Sequence, residues 1–406
     1  MATRLRGRKG SNLPSPGSSA QSVLSEVQAI YADRFVPLAI RGLQGMFLVE
    51  QAGFCHKVWL DGAGQLQPSG ISDRYTAMVL IGLACQGLMG RSLDLPLDSA
   101  WDRVISWALG PAGHGDTGLV LWAASIKGDD RAPQIAEAIA RRQQQILAER
   151  ALCPSMETGW LLTGLSEAMS RNIGGQPVAQ LAEKVFARLT ANFCESTGLF
   201  SFGRGGIQRS PLAERVSTRL GSFASQVYPT IGLSRYAVAS GSQQALATAR
   251  RCADALCRLQ GPEGQWWWVY HVRKGTVAVR YPVYTVHQDA MGPMALLAVS
   301  QAERGDRYAA AVHKSLQWME AHPECPDKHL VNEDRNVIWR AVQRDRPLGT
   351  GNLGLGRGEL LRTNLVAWTG TADKRRFDDG FVCDECRPYH LGWILLAGAM
   401  AQNINL

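Results

Sequence analysis

Residues Tyr281 to Gln301 read YPVYTVHQDAMGPMALLAVSQ. The stretch opens on aromatic and ionisable residues, Tyr281, Tyr284, His287, Gln288 and Asp289, and then carries no charge from Ala290 to Ser300. A helix that is apolar on every side is buried on every side. Its free N–H groups and the positive end of its dipole then lie beside the polar cluster, at the rim of something enclosed. The stretch predicts a buried helix whose start opens on a funnel.

Five other segments share this character. They are SDRYTAMVLIGLACQG from Ser72, GDTGLVLWAASI from Gly115, METGWLLTGLSEAMS from Met156, SQVYPTIGLSRYAVAS from Ser225 and RPYHLGWILLAGAMAQ from Arg387. Between them lie segments with apolar and charged residues at helical spacing: Arg131 to Arg150, Gln180 to Phe193, Gln243 to Leu259 and Asp306 to Glu320. Val23 to Gln51 and Ala100 to Leu109 fill the remaining places. These read as amphipathic helices with one face in water. Six buried helices alternating with six amphipathic ones predict an all-α fold, an (α/α)6 toroid, in which no hairpin buries its face alone. An irregular bundle and an open solenoid are the competing architectures. The alternating run VYHVRKGTVAVRYPVY after Trp268, turning at Lys274-Gly275, predicts a small β-hairpin within residues 266–282.

The bulk composition agrees with one large domain. The chain has 406 residues, 46% hydrophobic and 19% charged. Residues 1–20 are rich in Arg, Gly, Pro and Ser, too poor in apolar surface to order themselves, so we expect a disordered basic leader before a domain over 21–406. The leader holds Arg4, Arg6, Arg8 and Lys9; 43 Lys and Arg less these four leave 39 against 35 acids. That balance argues against nucleic acid and admits an anionic small molecule or saccharide. No apolar core follows the basic residues as in a secretory signal, and Leu391 to Ala401 is too short to span a bilayer. The expectation is a cytoplasmic protein, with nine cysteines as reduced thiols and an oligomeric state the sequence leaves open.

One local motif carries a resemblance. In LCRLQGPEGQWWW, residues Gln260, Gly264 and Trp266 fit Q-x-x-x-G-x-W, and FCESTGLF holds a reduced copy at Gly198 and Phe200. The motif resembles that of squalene-cyclase and prenyltransferase-like toroids. There it caps an outer helix and stiffens the turn into the next hairpin. The chemistry of those families does not carry over. No D-x-D-D run is present, and Met291 stands where a zinc prenyltransferase has its thiolate, although Tyr389-His390 fits. The architecture also resembles the six-hairpin glycosidase-like toroids, a group of hydrolases, uronate lyases and sugar epimerases. That resemblance implies acids, His, Tyr and Trp at the inner-helix mouths.

The chain supplies such residues. Asp289 and His287 at one mouth, Tyr389 and His390 at another, and Glu157 at a third are the candidate acid and base groups. Arg387 is a candidate fork for a substrate carboxylate. Tyr281, Tyr284, Trp160, Trp266, Trp268, Asp73, Arg74, Tyr75 and Asp116 are candidate binding residues, with Trp339 and Arg340 as a cover contributed by the long insertion 322–386. Each has a plain structural reading too, as a helix cap or a core side chain. We expect Trp266 and Trp268 on one face of a strand and Trp267 on the other.

Two further patterns weigh less. Cys325, His329, Cys383 and Cys386 have metal-ligand spacing, but an irregular loop divides them and no metal site is assigned. Gly349, Gly351 and Gly354 match G-x-G-x-x-G without a strand before them. The expected function is acid/base chemistry on an acidic, uronate-containing saccharide, as hydrolase, lyase or epimerase, without a cofactor. An isoprenoid-handling toroid and a non-catalytic saccharide- or protein-binding toroid are the alternatives.

Overall fold

The computed structural model describes residues 20–88, 93, 95–148, 153–204, 216–343 and 380–404. Residues 1–19 of the leader and the glycine-rich GTGNLGLGRGE lie outside the described residues.

Helices of two kinds alternate along the chain. The first outer helix comes in pieces: α1 (Ala20–Ile30), a π turn (Tyr31–Phe35) and α2 (Val36–Gln44). Buried α3 (Asp73–Cys85) follows, then outer α4 (Leu97–Leu109) and buried α5 (His114–Lys127). Outer α6 (Ala132–Arg141) with its extension α7 (Gln143–Leu147) precedes buried α8 (Ser155–Ser170). Outer α9 (Gly175–Thr190), buried α10 (Ala224–Ser240) and outer α11 (Gln243–Leu259) come next. Buried α12 (Gly292–Glu303), outer α13 (Ala309–Ala321) and buried α14 (Pro388–Gln402) complete the set.

The buried helices form a closed ring. α3 packs on α5, α5 on α8, α8 on α10, α10 on α12 and α12 on α14, and α14 returns to α3. This closure makes the fold a toroid and excludes the open solenoid. It requires close backbone approach. A Cβ on Gly82 of α3 would lie 2.1 Å from the carbonyl oxygen of Gly392 in α14, so a side chain cannot be accommodated where the ring shuts. The outer helices show the expected stripe. α11 buries Ala245, Thr248, Ala249, Cys252, Ala253, Ala255 and Leu256, and turns Arg250 and Arg251 outward.

The Gln260 motif is structural. Gln260 Nε2 donates to the carbonyls of Gly264 at 3.1 Å and Ala311 at 3.0 Å, tying the end of α11 to α13. Gly264 has φ +106, and a Cβ there would lie 2.2 Å from the Lys314 carbonyl oxygen. Trp266 is buried and stacks on Phe223. Its backbone N–H donates to Gln288 Oε1 at 2.8 Å, and Gln288 Nε2 donates back to its carbonyl at 3.2 Å. The reduced copy repeats the device. The Phe200 N–H donates to Gln226 Oε1 at 2.7 Å, and Gln226 Nε2 donates to the Phe200 carbonyl at 2.8 Å. A glutamine on the following inner helix thus clamps the aromatic residue of each motif.

Three local expectations are corrected. The helix containing Asp289 begins at Thr285, so Asp289 lies a turn inside it, within a π turn over His287–Met291. Trp266–Trp268 precede the strand Val269–His271 rather than forming it; the following hairpin pairs with Thr276–Val279, and Gly275 takes φ +62. The first outer helix ends at Gln44, because Phe47–Leu48 turns back to pair with Gly53–Leu60. Around Trp339 the chain forms a β-hairpin, Val331–Asn332 with Val337–Ile338. These strands are short and mixed in pattern, so their pairing across the chain carries little local signal.

Candidate active site

The inner helices all start at one end of the ring, and their first turns define its mouth. Ser72 caps α3 by accepting the Tyr75 N–H at 3.2 Å. The three residues after the cap then diverge. Asp73 turns outward and pairs with Arg103 of α4 at 2.5 Å. Arg74 crosses to α5, where its Nε and Nη2 meet Asp116 Oδ1 and Oδ2 at 2.6 and 2.9 Å. The Arg74 guanidinium also lies over the Trp160 ring, 5.2 Å from its centre. Tyr75 stacks on His56 at 5.2 Å and meets Tyr389 at 4.6 Å, forming an aromatic face.

Glu157 lies in the first turn of α8, beside the Arg74–Asp116 pair. Burial raises its pKa above the usual carboxylate value; Arg74 opposes the shift and Asp116 adds to it. Arg74 directs Nε and Nη2 to Asp116 and makes no hydrogen bond to Glu157. A cavity of about 330 Å³ adjoins Glu157, walled by His114, Ile146, Cys153, Leu161 and Val185.

The other side of the mouth is cationic. Glu385 is buried and accepts from Lys57 Nζ at 2.8 Å, from Arg387 Nε and Nη2 at 3.1 and 2.9 Å, and from Arg340 Nη1. Despite burial, Arg340, Arg387 and Lys57 pull its pKa down to about 2. Three cations around one carboxylate leave two positive charges in excess. Arg387 Nη1 donates to the Tyr75 hydroxyl at 2.9 Å, which joins this cluster to the Arg74 side. Arg340 lies over the Tyr284 ring, 5.3 Å from its centre. Short strands hold the cluster: Glu385–Cys386 pairs with Gly53–Leu60, and Ala341–Gln343 pairs with Val283–Tyr284.

The sequence candidates therefore divide. Arg74, Tyr75, Asp116, Glu157, Trp160, Tyr284, Arg340, Arg387 and Tyr389 are joined by these contacts. Asp289 and His390 meet below, Nε2 to Oδ1 at 2.7 Å, and both are buried. Burial raises the Asp289 pKa, and its Oδ2 has no hydrogen-bond partner. His287 packs between Phe223 and Tyr284, and burial lowers its pKa to about 3, so it stays neutral. Trp266 is core, Trp268 packs partly buried beside it, Tyr281 lies edge-on to Trp267, and Trp339 is buried. Asp73 faces away from the mouth. The sequence reading missed Lys57, His56 and Glu385. Glu385 lies in the C-x2-C segment that draws the eye to its thiols. All nine cysteines are free, and no group of three or more His, Cys, Asp and Glu able to hold a metal occurs among the described residues. Nor is any helix among them long and apolar enough to cross a membrane.

Ring closure and the inner and outer helix order define an α/α toroid, with a mouth lined by acids, aromatics and arginines. The solved structures it resembles include an unsaturated glucuronyl hydrolase specific for heparin, at 13% identity and TM-score 0.59, covering 94% of this chain and 97% of that one. The unsaturated glucuronyl hydrolase of Bacillus sp. GL1, responsible for the degradation of glycosaminoglycan, matches at 12% identity and TM-score 0.57, over 91% and 96% of the two chains. That of Streptococcus agalactiae, complexed with dGlcA-GalNAc6S, matches at 12% and 0.56, over 95% and 92%. No protein-family model matches the chain, and no curated protein matches it significantly in sequence. At these identities the likeness shows the fold.

Proposed function

We propose that this protein is a glycoside hydrolase acting on a saccharide that carries a uronate. The observation that carries the reading is Glu157, a carboxyl biased toward its protonated form, beside an Asp116 that Arg74 engages through both oxygens. Glycoside hydrolysis uses a pair of carboxyl groups, one donating a proton to the departing oxygen and one accepting a proton from water. Glu157 gives its proton to the departing oxygen. Asp116 receives one from the attacking water. The Lys57, Arg340 and Arg387 cluster offers excess positive charge to the uronate carboxylate, and Tyr75, Tyr389 and His56 offer a face to the sugar ring. That the structural neighbours are unsaturated glucuronyl hydrolases supports the same reading.

Lyase and epimerase chemistry would use His390 at a sugar C–H bond. His390 is buried and bonded to Asp289, which favours a positioning role for that pair beneath Tyr389. An isoprenoid site is disfavoured by the number of charged groups at the mouth. The test compares release of the reducing-end sugar from dGlcA-GalNAc6S and from a disaccharide with a neutral sugar in place of the uronate. Selective cleavage of the first supports the proposal; cleavage of neither, or of both equally, opposes it.

A further inference from the structure

The opposite end of the ring holds a second cavity, of about 640 Å³. It lies on the ring axis, because every inner helix contributes to its wall: Cys85 from α3, Ile126 from α5, Glu167 from α8, Arg235 from α10, Gln301 from α12 and Met400 from α14. None of these residues belongs to the mouth described above. The volume falls in the range of small-molecule sites.

The cavity has unmet hydrogen-bonding capacity. Arg171, Arg235 and Arg304 face it with Glu167 as the sole acid, an excess of two positive charges. Glu167 Oε2 accepts from Arg171 Nη1 at 2.5 Å. Its Oε1 lies 3.3 Å from Arg235 Nε in a geometry that makes no hydrogen bond, and this buried Nε has no other partner. A guanidinium carries five donors, and a buried donor left unpaired is costly. Cations at helix C-termini offset the helix dipole, which accounts for Arg171 at the end of α8. Arg235 is different: it lies five residues before the end of α10, so the dipole does not explain it. Ile126, Leu396 and Met400 supply an apolar wall beside it.

We propose that this basal cavity is a second binding site, for a small organic anion with one carboxylate or phosphate group and a short apolar body, held by the fork of Arg235. The anion pairs with the Arg235 Nη groups, which reach the cavity and make no hydrogen bond to the protein among the described residues, and the apolar wall takes the body of the ligand. The site stands apart from the mouth, so it does not depend on the proposed hydrolase activity.

Calorimetric titration of the full chain with phenyl phosphate, benzoate and benzyl alcohol tests this. At least one anion occupies a site with a Kd below about 1 mM that the neutral alcohol does not, distinct from any anion binding at the mouth. Arg235→Gln weakens binding by at least about tenfold, and Arg387→Gln at the mouth leaves it unchanged. Should Arg235→Gln fail to fold, Arg235→Lys keeps the charge without the fork and is expected to show a loss of about tenfold with an unchanged circular dichroism spectrum. Absence of binding by both anions, equal binding of the alcohol, or affinity that follows Arg387 rather than Arg235 overturns the proposal.

Discussion

Arg74 and Asp116 join two neighbouring inner helices through paired hydrogen bonds of 2.6 and 2.9 Å. The pairing sets the state of a third residue. With Arg74 engaged, Glu157 keeps no hydrogen bond to a cation, and burial raises its pKa. The same neighbourhood thus pairs one carboxylate with an arginine and biases the other toward its acid form.

Asp116→Asn tests that coupling. The substitution removes a negative neighbour of Glu157, so the Glu157 pKa falls. Less of the acid form is then present at a given pH. The alkaline limb of kcat moves to lower pH, and kcat itself drops by about 10²-fold or more as the second carboxylate is lost. An unmoved limb in the pH–rate profile contradicts the coupling.

Arg387→Gln removes one cation from Glu385 and the donor to Tyr75. For a uronate substrate KM rises about tenfold or more, with a smaller change in kcat. Steady-state kinetics with a uronate and its uncharged ester separate the two effects: the preference for the charged form shrinks in the variant.

Glu385 makes stability depend on acid. Its pKa is about 2 in the folded protein against an ordinary 4.5. A depressed carboxyl contributes stability above its unfolded value and loses it as pH falls through the folded one. The contribution, on the order of 3 kcal/mol, therefore disappears between pH 4.5 and about 2. Urea midpoints measured across that window fall in the wild type and fall less in Glu385→Gln.

Asp289→Asn keeps an oxygen acceptor for His390 Nε2 while removing the ionisable group. As a positioning pair, Asp289 and His390 tolerate this change: kcat stays within about threefold of wild type and the pH profile does not move. A collapse of kcat with an unaltered Tm would make Asp289 a catalytic residue instead.

Much of the fold is written in local pattern. Uncharged runs such as Ala290 to Ser300 and amphipathic ones such as Gln243 to Leu259 mark the two rings, because burial on all sides and burial on one side leave different periodicities. The site is only half legible. Arg74, Asp116 and Glu157 sit at helix starts, which sequence reveals, yet nothing local says that Asp73 turns out to Arg103 while Arg74 turns in. Asp289 reads as a rim residue because the local pattern does not show the extra turn from Thr285 that buries it. Lys57 and Glu385 meet across 328 residues of chain through a strand pairing that leaves no local mark. The glutamine clamps leave no mark in the sequence, because the partners of Gln226 and Gln288 are backbone groups of Phe200 and Trp266 that only the fold brings close.

The most direct measurement is the hydrolysis rate of dGlcA-GalNAc6S by the wild type and by Glu157→Gln, with both proteins matched in Tm. The account predicts cleavage by the wild type and a loss of 10²- to 10⁴-fold, on the order expected for removing a general acid, in the variant. Equal rates for the two proteins would contradict it.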